Sequence, residues 1–364
     1  MKITRLETHV VHIPYKAPIT WASRVSEGDT FVLLCVVTDE GVDGWAEALA
    51  NPQWSGVVAD DVVRHVSDVY EPLLVGTDPL QTERLLGDLA RVPARGSSRS
   101  LVELALCDVQ ARSAGVPCWK YLGGWTDRVP VAWLLNRGPV EGMLEEAEAA
   151  IEGHGFRAIK VKVGTNTRED VAALGLLRDA LGDDMLLWVD ANSGYGPDDA
   201  MWAARGFAEV GVRFFEDPCP LDLGEQSRRL LEESPVPVMV DRQVNSAKSA
   251  LDYLRHGASA LNLKVGGMGY REARRVINVA DAFDVPCVVG VSSETDLGSL
   301  AALHFRAAVP ELDAFPAENI FFMKLTGMLL QEPPQVRDGF VQLPDKPGLG
   351  AAPSEAALER FRVA

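Results

Sequence analysis

The sequence predicts an α/β fold: a modified (β/α)8 barrel of the TIM type, preceded by an α+β module and followed by a short closing segment. Two observations predict it. After Gly124, short apolar strands alternate with amphipathic helical segments, and eight such units recur at intervals of roughly 22 to 29 residues. No G-x-G-x-x-G follows any of these strands, which argues against an open dinucleotide-binding sheet. The expected division is residues 1–125 for the α+β module, 126–340 for the barrel and 341–364 for a closing segment that packs back on the module.

Residues 1 to 50 read as antiparallel β structure. Ile3 to Ile13 alternates, Phe31 to Thr38 is an apolar strand, and Glu40-Gly41 supplies a turn before Gly44-Trp-Ala-Glu-Ala. Pro14 to Asp29 and Asn51 to Trp54 are expected as loops, and a loop as long as the first is either disordered or functional. From Val57 to Leu122 apolar positions recur three and four apart, as in Val62, Val66 and Val69, and the run stops at Leu122-Gly-Gly124. Barrel strands are expected at Val129–Leu134, Ala158–Val163, Leu186–Asp190, Arg213–Glu216, Val238–Asp241, Ala260–Val265, Pro286–Val291 and Leu312–Phe315.

The chain has 364 residues, 47% hydrophobic and 24% charged, with a net charge of −17. That is an ordinary globular composition. So acidic a surface repels phosphates and argues against nucleic acid or an anionic membrane as partner. The five scattered cysteines lack C-x-x-C spacing and fit a reduced, cytoplasmic setting, with Cys35 and Cys107 as core residues. The N-terminus has no apolar signal core, and no run of about 18 apolar residues predicts a membrane span.

In a barrel, catalytic groups come from the C-terminal ends of several strands. Here strand two ends in Lys160-Val-Lys162, strand three in Asp190-Ala-Asn192, strand four in Glu216-Asp217-Pro, strand five in Asp241-Arg242 and strand six in Leu261-Asn-Leu-Lys264-Val-Gly-Gly267. Side chains alternate along a strand, so Lys160 and Lys162 share a face opposite Ile159, Val161 and Val163. An isolated K-x-K is a solvated strand edge, and a lone acid at a strand end is a helix cap. Three acids in register, Asp190, Glu216 and Asp241, with lysines on strands two and six, instead form a hard-oxygen site for Mg2+ or Mn2+. Strands two and six lie opposite each other in an eight-stranded ring, so Lys162 and Lys264 would flank one substrate. A nearby cation and burial would lower the lysine pKa values toward those of useful bases. The constellation reads as proton abstraction beside a carboxylate.

These motifs, in the order K-x-K, D-x-N, E-D-P, D, L-K-x-G-G, resemble the enolase superfamily, and within it the mandelate racemase/muconate lactonizing enzyme family. Leu106-Cys-Asp-Val-Gln-Ala-Arg-Ser-Ala-Gly-Val-Pro and Tyr121-Leu-Gly-Gly124 resemble its helix leading into the barrel. Pro333-Pro-Gln-Val-Arg-Asp and Pro347-Gly-Leu-Gly350 resemble its closing segment. The resemblance makes the α+β module, joined by the C-terminal segment, a capping domain. It implies Asp190, Glu216 and Asp241 as Mg2+ ligands, Lys162 and Lys264 as acid/base catalysts and Lys160 as electrostatic support. A lysine on strand six places the chain nearest the muconate-lactonizing subgroup. A homo-oligomer, dimer or octamer, is also implied.

One departure stands out: the family usually follows its third ligand with glutamate, where this chain has Arg242. Arg242 could hold a second substrate carboxylate, pair with Asp217, or mark altered or lost chemistry. Further expected substrate contacts are Trp21, Arg24 and Trp54 in the loops, Trp133 on strand one, Asn192, Glu294 after strand seven and Glu318 after strand eight. Glu318 alternatively supports from behind, and Trp21 and Trp54 alternatively pack the lid. His304 reads as core. The small-molecule carboxylate substrate is left open between muconate-type cycloisomerisation, racemisation or epimerisation of an amino-acid derivative, and dehydration of an acid sugar or hydroxy acid. A barrel that keeps its metal site and only binds a ligand is the non-enzymatic reading.

Overall fold

The computed structural model describes residues 1–20, 25–93 and 97–363. Strands β1 (Ile3–Thr20), β2 (Val25–Thr38) and β3 (Gly44–Ala50) form an antiparallel sheet. Alternation in Ile3–Ile13 buries one face of β1, whereas Phe31–Thr38 is buried almost throughout. The helix Ser98–Ser113 covers this sheet and is itself sunk between module and barrel.

Pro14–Asp29 is not the loop expected. The hairpin continues to Thr20 and Val25, and the four residues Tyr15–Pro18 bulge out between the pairs Pro14–Gly28 and Ile19–Ser26. The bulge takes in Pro18, which cannot donate to a ladder, and it hooks the hairpin onto the barrel. Thr326 N–H donates to Pro14 O at 2.9 Å, and Lys16 Nζ donates to Met323 O at 2.8 Å. Asn51–Trp54 likewise runs into a short helix, Pro52–Ser55.

The barrel begins with β4 (Arg128–Pro130), which leaves the ring to pair with β13 (Phe340–Gln342), itself paired with β12 (Val336–Arg337). Seven parallel strands follow: β5 (Trp133–Leu135), β6 (Ala158–Lys162), β7 (Leu186–Asp190), β8 (Phe215–Glu216), β9 (Val238–Val240), β10 (Ala260–Leu263) and β11 (Cys287–Val289). A helix follows each, ending with Asp296–Ala307 after β11.

The eighth strand expected at Leu312–Phe315 does not form. Pro310–Leu312 is a 3-10 turn, and closure falls to the next residues. Ala317 N–H donates to Pro130 O, Ala132 N–H to Ala317 O and Glu318 N–H to Val289 O, each at 2.9 Å. Pro310 and Pro316 flank the apolar run and keep it from laddering. Of the closing segment, Val363 N–H donates to Val10 O in β1, whereas Phe340–Gln342 pairs with Arg128–Pro130 of the barrel.

Inside the ring, Ala132, Ala158, Trp188, Phe214, Met239, Ala260 and Val288 pack with Phe315 into a dry floor. The period of two then places Lys160, Asp190, Glu216, Asp241 and Asn262 inward and one step higher. The helix Asp296–Ala307 is buried at every residue and ties the parts together. Asp296 accepts from Leu329 and Leu330 N–H at 2.9 and 2.8 Å, and Glu47 of β3 accepts from Thr295 and Gly298 N–H at 2.8 and 3.1 Å. His304 receives Trp119 N–H on Nδ1 at 3.1 Å and sits 3.2 Å from Leu349 O through Nε2. Burial lowers its pKa to about 4, so it is a neutral core histidine. All five cysteines are buried and free.

Candidate active site

The strand ends bring the sequence-predicted acids and lysines to one mouth. Lys162 pairs with Asp190 in register, and its Nζ lies 2.6 Å from Asp190 Oδ2 and 3.1 Å from Asn192 Oδ1. Lys264 Nζ reaches Asp241 Oδ2 at 3.2 Å from the end of β10. Gly290 makes room for it: a Cβ there would stand 2.8 Å from Lys264 Nζ and 1.7 Å from Asn262 Oδ1. In the order β11-β10-β9-β8-β7-β6-β5, closed by residues 317–318, β10 stands four positions from β6. The two ammonium groups therefore project from opposite walls.

Lys160 lies deeper. Its side chain is 3% exposed, against 15% for Lys162 and 23% for Lys264, which separates it from the two that can meet a substrate. Its Nζ sits 2.7 Å from Glu216 Oε2, 2.9 Å from both Glu318 oxygens and 3.2 Å from Asp190 Oδ2. Burial by itself would lower its pKa, but Glu216, Glu318 and Asp190 outweigh it and hold Lys160 well above the ordinary lysine range. The same contest, with Asp241 the chief carboxylate, raises Lys264. For Lys160 and Lys264 the lowering expected at an apolar strand end does not arise among the protein's own groups, because both ammonium groups face carboxylates within about one hydrogen-bond length.

The acids respond in opposite directions. Burial and the charge of Asp190 push Glu216 well above its ordinary value, whereas Lys162 and Lys160 overcome burial and hold Asp190 below its own. Glu318 is fully buried, and Lys160 and Lys264 overcome its desolvation and lower it. Asp217 accepts from Asp241 and Arg242 N–H at 3.0 and 3.1 Å, and burial lifts it to about 7. It is the backbone of Arg242 that meets Asp217, while the Arg242 side chain is exposed. Asn192, Ser193, Asp217 and Ser293 all hold left-handed backbone at these strand ends. Such strain gathers where surrounding structure fixes functional groups.

Other expected contacts lie elsewhere. Trp133 turns outward, packing on Phe156 and donating its indole N–H to Glu146 at 3.0 Å; its neighbours Ala132 and Leu134 hold the inward parity. Glu318 lies beneath the mouth, and Glu294 is 4% exposed, with Oε2 accepting from Ser292 N–H at 2.6 Å. Trp21 and Arg24 lie outside the described residues, as does the side chain of Trp54. Asn262 was not foreseen. It donates from Nδ2 to Glu216 at 3.0 Å and to Glu318 at 3.1 Å, and its signal was a polar residue of Lys264's parity inside an apolar strand.

The site's fitness for a cation can be read from its unmet donors. Asp190, Glu216, Asp241, Glu294 and Glu318 face Lys160, Lys162 and Lys264, five carboxylates against three ammonium groups. Asp241 Oδ1 is buried without a hydrogen-bond partner among the described residues, and Glu216 Oε2 meets the Lys160 ammonium at 2.7 Å. No three His, Cys, Asp or Glu side chains among those residues are yet gathered at metal-ligand spacing, and the Lys160 ammonium stands among the acids instead. Excess negative charge and all-oxygen donors suit a hard divalent cation.

Residues 142–357 match the enolase C-terminal domain-like family, and residues 5–123 match the mandelate racemase/muconate lactonizing enzyme N-terminal domain family. Among curated proteins, the chain is 31% identical to muconate cycloisomerase 1 of Rhodococcus opacus, over 96% of this chain and 95% of that one. It is 29% identical to L-Ala-D/L-Glu epimerase of Bacillus subtilis (strain 168), over 96% of each. A solved muconate lactonizing enzyme from Pseudomonas fluorescens, complexed with muconolactone, superposes with a TM-score of 0.94 at 27% identity, covering 100% of this chain and 99% of that one. Both architecture and sequence therefore make this chain an enzyme of the enolase superfamily, and it belongs to the mandelate racemase/muconate lactonizing enzyme family.

Proposed function

We propose that this enzyme moves the proton α to a substrate carboxylate through an enolate, with Mg2+ or Mn2+ as cofactor, as a cycloisomerase of the muconate-lactonizing type. One observation carries the reading: Lys162 and Lys264, the two lysines of the mouth with solvent access, stand on opposite walls above a buried acid layer. Asp190, Glu216 and Asp241 would hold the cation, whose charge, when bound, stabilises the negative charge that builds up on the substrate carboxylate. In lactone formation one substrate carboxylate oxygen adds to the diene and Lys162 or Lys264 gives its proton to the α-carbon of the enolate; in the reverse direction the same lysine takes that proton. Lys160 keeps the acid layer from repelling itself open. The expected partner is a small carboxylate, and the expected assembly is a homo-oligomer, dimer or octamer.

A second reading, racemisation or epimerisation of an amino-acid derivative, has its own support. Two opposed lysines permit removal of the proton on one face and return on the other, and the chain is about as similar to an epimerase as to the cycloisomerases. Arg242 would then offer a cation to a second carboxylate, in place of the family's glutamate. The test is turnover of cis,cis-muconate against α-deuterium exchange into N-succinyl amino acids and dipeptides, each with Mg2+ and with chelator. Lactone formation that needs Mg2+ supports the first reading, and exchange without lactone supports the second. Failure of all three substrate classes to react or exchange would overturn both.

A further inference from the structure

The strand that carries Lys264 does not run straight into its helix. Lys264 O accepts from Gly267 and Met268 N–H at 3.0 and 3.1 Å, making one turn, and the chain then breaks at Gly269 (φ 80°, ψ 166°) before Val265–Asp281 resumes. That broken turn is gripped from outside the barrel. Ser100 Oγ of the helix Ser98–Ser113 donates to Gly266 O at 2.7 Å. One helical turn on, Glu103 Oε1 accepts from Arg271 N–H at 2.7 Å, and the carboxylate also accepts from Tyr270 N–H. Glu103 thus fills the N-terminal end of the resumed helix, where orphan N–H groups favour an acceptor with negative charge. The fit is close: a Cβ on Gly269 would stand 2.3 Å from Glu103 Oε2, so the left-handed glycine and the buried acid require each other. On its other flank Gly266 meets the mouth, where a Cβ would lie 3.6 Å from Glu294 Oε1.

We infer that Ser100 and Glu103 are positioning residues for Lys264: by clamping both ends of the turn Gly266–Arg271, the capping helix sets where the strand-six ammonium stands in the mouth. The inference rests on the proposed role of Lys264 in proton transfer. Its basis is geometric, because Lys264 lies two residues before the clamped segment and its own carbonyl accepts from Gly267 and Met268 N–H within it, while Tyr270 O–H, donating to Ala301 O at 3.0 Å, ties the far end to the barrel. Docking of the capping helix then has a catalytic consequence even though neither Ser100 nor Glu103 touches substrate.

The test compares Glu103→Ala, Ser100→Ala and the conservative Glu103→Gln, which keeps a carbonyl acceptor for the two N–H groups. With the carboxylate that the wild type processes, Glu103→Ala is expected to lower kcat about 10- to 100-fold, the cost of a misplaced catalytic group, while KM changes little. Glu103→Gln should recover most of that loss, and Ser100→Ala should fall between. A second readout needs no substrate: trace reductive methylation followed by peptide mass spectrometry, with Lys162 as internal reference. The labelling ratio of Lys264 to Lys162 should shift about threefold or more in Glu103→Ala and return in Glu103→Gln, because solvent access and hydrogen bonding set amine reactivity. Equal loss in the Ala and Gln variants, a fall in KM-linked binding alone, or an unchanged labelling ratio would overturn the inference. If the wild type processes no carboxylate, the proposed function fails and the labelling ratio still decides the positioning claim. If Glu103→Ala does not fold, Ser100→Ala and Glu103→Gln decide it by the same ratio.

Discussion

Two rings of side chains share the same barrel strands, two residues apart, and have opposite characters. The floor ring of Ala132, Ala158, Trp188, Phe214, Met239, Ala260 and Val288 is apolar and closely packed. The ring above it holds Lys160, Glu216, Asn262 and Glu318, all buried, under the open lysines Lys162 and Lys264. The floor gains free energy from burial, while the upper ring spends it on desolvated charge. One barrel therefore separates the residues that hold it together from those that give it chemistry, using only the alternation of a strand.

That contrast can be broken or sharpened by substitution. The largest expected effect is on the open lysines. Lys162→Ala or Lys264→Ala should lower turnover about 10²- to 10⁴-fold, the usual worth of a placed acid/base group, with little change in melting temperature. A comparable loss of stability would show that the upper ring is structural after all. Next comes Lys160→Met, which removes the ammonium that Glu216 and Glu318 touch and leaves Asp190 with Lys162 alone. Unfolding in urea should reveal a loss of about 3–5 kcal/mol, with added Mg2+ restoring part of it. Insensitivity to Mg2+ would separate this acid layer from the metal. Trp188→Ala tests the floor and should also cost about 3–5 kcal/mol of stability, while activity per folded molecule stays within several-fold.

The last effect, read as a slope in pH, concerns a buried acid outside both rings. Glu47 has its pKa raised from 4.5 to about 8, chiefly by burial, although Thr295 donates to it. The unfolded chain gives up this proton first. Stability owed to the group is therefore full below about pH 4.5, declines by about 1.4 kcal/mol per pH unit above that, and levels beyond the folded value. Glu47→Gln should flatten that slope between pH 4.5 and 8 in urea titrations. An unchanged slope would place the titration elsewhere.

The alternating fold and the charged strand ends were legible because both rest on local periodicity: an apolar strand announces its face, and Lys162, Asp190 and Lys264 follow at readable offsets. Trp133 was misassigned although its parity was readable too, since Ala132 and Leu134 on either side already claim the interior. The missing eighth strand was harder, because Leu312 and Phe315 are the apolar residues where the repeat calls for a strand, and only the paths of β5 and β11 decide which residues close the ring. Glu47 and Glu103 were not legible at all. Their partners are backbone N–H groups on barrel helices some 170 to 250 residues away, and sequence spacing carries no trace of such a contact.

The closure at residues 317–318 has a mechanical consequence. Seven walls of this barrel are strands joined by six ladders, but the eighth is a seam stitched by single hydrogen bonds to Pro130, Ala132 and Val289. A ladder fixes every side chain on its strand at once, so changing one residue's reach means slipping the whole register. A seam imposes no such discipline. Glu318 hangs from it, and its height above the floor can be retuned by shortening or lengthening a few residues of extended chain while the other seven strands stay still.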